Sequence, residues 1–127
     1  MSVNLNIGKA VVAKIKADKS ISLSRFCACV VEEDTKYPYA VYYRDSVSTE
    51  ESKDTATGIN RSVVVINVVS DKYDQSLNLA QKIVDSYDGM RGTIGGCRIQ
   101  SCRVTDCGET FSNNAFIQSI SIEIKYY

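Results

Sequence analysis

The chain has 127 residues, 15 Lys plus Arg against 15 Asp plus Glu, and 44% hydrophobic residues. This is the length of one ordinary domain, with enough apolar residues for one packed core. A net charge of zero argues against a dedicated binder of duplex DNA, whose affinity rests on neutralising phosphates, so no sequence-specific nucleic-acid binding is expected.

The first predicted element runs from about Asn4 to Asp18. Ile7, Ala10, Val11 and Ile15 recur at helical spacing and form one apolar stripe. Gly8 weakens this helix by about 1 kcal/mol relative to alanine. Arg25 to Glu32 reads as a strand built on Phe26-Cys27-Ala28-Cys29-Val30-Val31, and a polar connection follows to Lys36. Pro38, the only proline, precedes Tyr39-Ala40-Val41-Tyr42-Tyr43-Arg44, a second strand rich in aromatic and β-branched residues. Ser46 to Asn60 is polar and reads either as a loop or as the exposed tip of a long hairpin. Arg61 to Ser70, with Val63-Val64-Val65-Ile66-Asn67-Val68-Val69, is the expected central strand of a sheet.

Asp71 is the expected N-cap of a second helix, with Asp74 in its first turn and Gly89 as its stop signal. Tyr73, Leu77, Ala80, Val84 and Tyr87, widened by Ile83, make its apolar stripe. The glycines from Gly89 to Gly96 form a helix-to-strand turn, since a phosphate-cradling loop needs the reverse order of strand then helix. Cys97 to Cys107 reads as a strand and Gly108 to Ala115 as a turn region. Phe116 to Tyr127 alternates cleanly. Phe116, Gln118, Ile120, Ile122, Ile124 and Tyr126 share one face, and Ile117, Ser119, Ser121, Glu123, Lys125 and Tyr127 share the other. The fold class is therefore α+β, a two-layer sandwich with a mainly antiparallel sheet of four to five strands and two helices on one face. With no repeat, low-complexity tract or linker, residues 1–127 read as a single domain.

The chemistry that these residues could carry is limited. The chain has no histidine, which removes the commonest general base and the Ser-His and Cys-His nucleophile systems. The five cysteines are odd in number and lie mostly within predicted strands, away from the turn knuckles of zinc sites. They read as small buried reduced thiols, with no metal and no cofactor. Acidic residues are scattered over loops and a helix surface, where solvated charge is their ordinary role. No catalytic residue is assigned, and the chain is read as a non-enzyme. No apolar run approaches the roughly 20 residues of a membrane span. Met1 to Asn6 do not form a secretory leader, so synthesis and retention in the cytoplasm are expected.

Tyr37-Pro38-Tyr39-Ala40-Val41-Tyr42-Tyr43, a polar stretch, the strand Val63 to Val69, the helix opening at Ser70-Asp71 and ending at Tyr87-Asp88-Gly89, and a closing hairpin follow one another. This order resembles the tail-completion, or tail-terminator, family of bacteriophages and prophages. The resemblance implies a virion structural protein, made in the bacterial cytoplasm, that caps the tail tube and joins the tail to the head connector. It implies a homo-oligomeric ring, often of six copies, with neither active site nor cofactor. Its partners would be the tail-tube protein and the head-connector protein, with no membrane. On that reading Ile117, Glu123, Lys125 and Tyr127, on the outward side of the last strand, supply one interface. The stretch Ser46 to Asn60 supplies another or projects into the lumen, where Glu50, Glu51 and Asp54 keep the wall from holding passing DNA. Two rival readings are a ligand- or peptide-binding module on the same scaffold, which needs a defined apolar pocket, and a cysteine-dependent redox protein, which needs an exposed acidic thiol.

Overall fold

A computed structural model describes residues 5, 7–18, 21–30, 34–51, 56–94 and 97–127, with the side chains of 47–51, 56–58 and 94 outside the description. In chain order the elements are α1 (Ile7–Ala17), β1 (Arg25–Ala28), β2 (Tyr39–Glu51), β3 (Ala56–Ser70), α2 (Tyr73–Tyr87), β4 (Gly92–Ile94), β5 (Cys97–Ser112) and β6 (Ala115–Tyr126). The six strands form one sheet in the order β1-β2-β3-β6-β5-β4. The α+β class holds, but the sheet has six strands where four to five were expected, and it curls into a half-barrel instead of lying flat in a two-layer sandwich. Its pairing is antiparallel except between β1 and β2, which run parallel.

β3 and β6 lie at the centre; the valine run of β3 pointed to that place, whereas the alternation of β6 pointed only to a strand with one face in the core. Ile66 sits opposite Ile120, and Val64 opposite Ile122. These four residues, with Val68 and Ile124, are essentially inaccessible to water. Both helices contribute to the core on this face. Ile7, Val11 and Ile15 of α1 join Leu79, Ile83 and Tyr87 of α2 in the same cluster. Tyr87 is fully buried, and its hydroxyl donates to the carbonyl of Val11, tying the end of α2 to the middle of α1. Lys14 strengthens the same joint: its Nζ donates to the Ser86 carbonyl at 2.7 Å and lies 5.8 Å from the centre of the Tyr87 ring.

Several local expectations are corrected. Gly8 is a close-packing position, because a Cβ there would lie 3.2 Å from Cε2 of Tyr42. The residue at the N-cap of α2 is Lys72, which makes no side-chain cap; Asp71 stands before it. Ser70 takes over the service, its Oγ accepting from the Lys72 N–H at 3.1 Å and donating to Gln75 Oε1 at 2.6 Å. The apolar stripe of α2 is rotated toward Ser76, Leu79, Ala80, Ile83 and Tyr87, leaving Tyr73 and Leu77 exposed. Gly89 does end the helix, at φ +81°.

The Ser46–Asn60 stretch resolves into the two arms of a hairpin. β2 runs to Glu51 and β3 begins at Ala56, and Asp54 lies outside the described residues. β1 stops at Ala28, where Cys29 adopts φ +62°. The glycine-rich turn after α2 contains an unexpected short strand, β4. β5 continues to Ser112, through most of the region expected to be a turn. The turn itself is Asn113-Asn114, both left-handed at φ 52° and 60°, which joins Ser112 to Ala115 as a tight two-residue hairpin.

Candidate interaction surfaces

The side chains alternate across the sheet, so register fixes which residues share a surface. One face carries the helices. The other carries Val41, Val63, Val65, Val69 and Ile117 near its middle, with Val65 and Val69 almost buried although no described helix covers them. Toward one end of this helix-free face stand Arg61, Arg103, Glu123 and Lys125. Arg61 and Lys125 lie directly opposite each other, a like-charge pair that would destabilise the sheet if left alone. Glu123 lies between: its carboxylate accepts from Arg61 at 2.7 Å and approaches Arg103 at 3.8 Å. The hydrogen bond and charge of Arg61 hold the Glu123 carboxyl below the usual carboxylate range, helped by Arg103 and Lys125.

An aromatic patch lies on the helix side, where α2 begins beside the β5–β6 turn. Phe116 contacts Tyr73 edge-on at 5.3 Å and Phe111 at 4.8 Å. Phe111 remains 60% exposed, and Tyr73 and Leu77 are also open to water. A polar network beneath fixes the patch. The Tyr73 hydroxyl donates to Glu109 at 2.9 Å, Gln118 Nε2 donates to the same Glu109 oxygen at 3.0 Å, and the Ser76 hydroxyl donates to the Tyr73 carbonyl at 2.7 Å. The bond to Glu109 raises the Tyr73 pKa. Next to the patch, Leu77, Val84, Cys107 and Gln118 help to line a depression of about 160 Å³.

A second group of exposed apolar residues lies across the sheet, where β1 ends. Leu5, Cys29, Tyr42 and Tyr43 help to line a depression of about 300 Å³, and Arg44 Nη1 donates to the Leu5 carbonyl at 3.1 Å. Val30, which follows Cys29, is 76% exposed.

The residues singled out from the sequence do not form one patch. Ile117 is half-buried opposite Val69 and Thr110, near the β5–β6 turn. Glu123 and Lys125 lie farther along the strand, and Glu123 is engaged with Arg61. Tyr127 follows the strand, with the Arg98 guanidinium 5.0 Å from its ring centre. The backbones of Glu50 and Glu51 lie in the last part of β2. Sequence reasoning missed Phe111 because its strand was read as a turn, and it read Tyr73 and Leu77 as core. The Asn-Asn pair was the available signal for a longer hairpin.

The thiols divide into two kinds. Cys97 and Cys102 are buried as expected, whereas Cys29 and Cys107 are exposed and Cys27 is intermediate. Burial pushes Cys102 up to about 12 and Cys97 upward. Cys107 is also pushed up, by partial burial and then by Asp106, which opposes the acidic thiol that a redox role requires. Among the described residues no group of three or more His, Cys, Asp or Glu is placed to hold a metal ion.

Such a chain offers two separate apolar surfaces and small open depressions, the geometry of a component that meets neighbours. A family model for tail completion protein gp17 matches residues 9–126, and the chain belongs to that family. It is a structural protein of a bacteriophage-type virion tail. Among solved structures, a chain from the virion of a native gene transfer agent particle is similar over 94% of this chain and 93% of its own, with TM-score 0.78 and 13% identity. A second solved chain, which carries no functional name, is similar over 95% of this chain and 90% of its own, with TM-score 0.59 and 18% identity. At these identities the likeness is one of fold. No curated protein matches the sequence.

Proposed function

We propose that this chain caps the tail tube and joins the tail to the head connector as a ring of copies of itself, six being the number implied by the family resemblance. The observation that carries the reading is the gathering of exposed apolar groups at two different places, around Phe111 and around Val30. A ring made by heterologous contacts needs two such unlike patches on every subunit. Ile117, Glu123, Lys125 and Tyr127 are assigned to contacts with neighbours or with the tube and connector. Glu50, Glu51 and Asp54 keep the wall of the passage from retaining DNA.

Deletion of the gene from its phage, followed by electron microscopy of the lysate, tests this reading. The expected result is DNA-filled heads beside unattached tails, with joined particles restored by a copy supplied in trans. Normal, joined particles in the deletion strain would sink it.

A further inference from the structure

We propose that copies of this chain join through their sheet edges, the uncovered part of β5 on one copy pairing antiparallel with the uncovered part of β2 on the next. This rests on the ring reading above and names its junction.

The sheet's outermost strands are short. β1 pairs with Tyr39 to Tyr42, so among the described residues β2 has no strand on its outer side from Tyr43 to Glu51. β4 pairs with Cys97 to Ile99. The end of α2 occupies the next positions of β5: the Gly89 N–H donates to the Cys102 carbonyl, and the Val104 N–H donates to Asp88 Oδ1. From Thr105 to Ser112 no described strand lies on the outer side of β5. The two-residue turn makes Ser112 and Ala115 a hydrogen-bonded pair, so alternation turns the backbone groups of Cys107, Glu109 and Phe111 outward. Both bare runs lack Lys and Pro, two residues with which natural edges repel a further strand.

The two bare runs are steps cut at opposite corners. Tyr39, beside β1, lies in the row of Val69, Ile117 and Thr110, whereas Ile99, beside β4, lies in the row of Tyr126, Asn60 and Thr49. Fitting step to step moves the next copy roughly 20 Å along the strands for about 19 Å across them, at ~3.3 Å per residue and ~4.8 Å per strand. That is a strand tilt of about 45°, at the upper end of the ~35–45° found in closed barrels. A half-barrel that repeats with this tilt closes without leaving an edge.

The direction of the step also decides which face lies inside. Tyr42 faces the helices and turns its carbonyl toward β1, where it accepts from Cys29 N–H at 2.8 Å. For L-residues this places β1 to the left of an upward β2 seen from the helix-free face. The step then leans the strands to the right when viewed from the helix side, the lean of a right-handed coil seen from outside. The helices therefore lie outside, and Arg61, Arg103, Glu123 and Lys125 face the lumen.

The same step brings apolar groups together. On the helix side the end of β5 carries Phe111, with Tyr73 and Leu77 beside it; it meets the end of β1, where Val30 and Leu5 stand open, while Tyr43, opposite Val65, turns to the helix-free face. Phe111, Tyr73, Leu77, Val30 and Leu5 are five of the eight large exposed hydrophobic residues among those described, so the junction covers most of what the subunit leaves in water.

A phage carrying Ser112→Cys tests the junction, because Ser112 is exposed at the end of β5 and Cys29 is exposed at the end of β1. Purified particles are treated with a short bis-maleimide, denatured and resolved on a gel, and the linked peptides are identified by mass spectrometry. The expected result is a ladder of multimers joined from Cys29 to position 112, abolished by adding Cys29→Ser. Particles that contain the chain but give no links, or links only between two copies of position 112, overturn edge pairing and leave the tail function standing. Particles that join normally yet lack the chain overturn the tail function and the junction with it.

Discussion

Replacing Tyr87 with Phe removes one oxygen from a fully buried joint between the two helices. The ring stays, so the apolar packing between α2 and α1 is preserved, while the hydroxyl's bond to the Val11 carbonyl is lost. A fully desolvated hydroxyl-to-carbonyl bond of this kind is worth about 1–2 kcal/mol, including the cost of a carbonyl left short of a partner. For a chain of this length that corresponds to a melting point lower by roughly 3–7 °C. Tyr87→Ala, which also empties the ring's space, should lose about 3–5 kcal/mol. Burial raises the folded pKa of Tyr87 above the ordinary tyrosine value of 10.0. The folded state therefore holds the phenolic proton more tightly than the unfolded one, and the resulting stability is complete below about pH 10 and is lost as pH rises above it. Tyr87→Phe lacks this loss, so the gap between the two proteins should narrow above pH 10. Urea titrations from pH 7 to pH 11 measure both effects. A Tyr87→Phe protein within 0.3 kcal/mol of wild type at pH 7, by the same fit and with an unchanged alkaline limb, would refute the reasoning.

Three further outcomes are expected. Glu123→Gln should lose about 0.5–1 kcal/mol at neutral pH, a modest value because Arg61 is half exposed. Since the carboxyl's folded pKa is lowered, its contribution is present above the unfolded value and lost as pH falls through the folded one, so wild type and variant should converge in acid urea titrations. Gly8→Ala should destabilise by about 1 kcal/mol, the clash with Tyr42 outweighing the gain in helix propensity, and calorimetry should find the same change neutral or favourable in a Tyr42→Leu background. Phe111→Ala should cost about 1 kcal/mol or less in thermal melts, because the ring is mostly exposed, while sharply reducing the yield of joined particles in a plaque assay.

The central elements were legible because their burial is one-sided and regular. Ile120, Ile122 and Ile124 alternate with polar residues, and the structure buries them and half-exposes their neighbours as the period requires. The edges were not legible. Gly108 to Ser112 is mostly polar and exposed at the rim of the sheet, and such a run without a buried face carries the same signature as a turn. β4 is three residues long, too short for any period to show. The stripe of α2 was misread by a fraction of a turn, because Tyr73 and Leu77 fit the helical spacing as well as Ser76 and Leu79 do, while Ala80, Ile83 and Tyr87 belong to both sets. What separates the two sets is the neighbouring strand, which spacing within the helix does not contain. The interaction surfaces shared this blindness, since Phe111 and Tyr43 become neighbours of other groups only once the sheet has set its register.

The Asn113-Asn114 turn has a consequence for how this arm can vary. It locks Ser112 against Ala115, and the alternation that follows assigns Cys107, Glu109 and Phe111 to the helix side. One residue inserted between Phe111 and the turn would either force a bulge or turn Phe111 through to the opposite surface. A second inserted residue would restore it. The length of the β5 arm is therefore quantised: without a bulge it can grow or shrink only in pairs of residues, and a grafted sequence of odd length would carry Phe111 away from Tyr73 and Phe116.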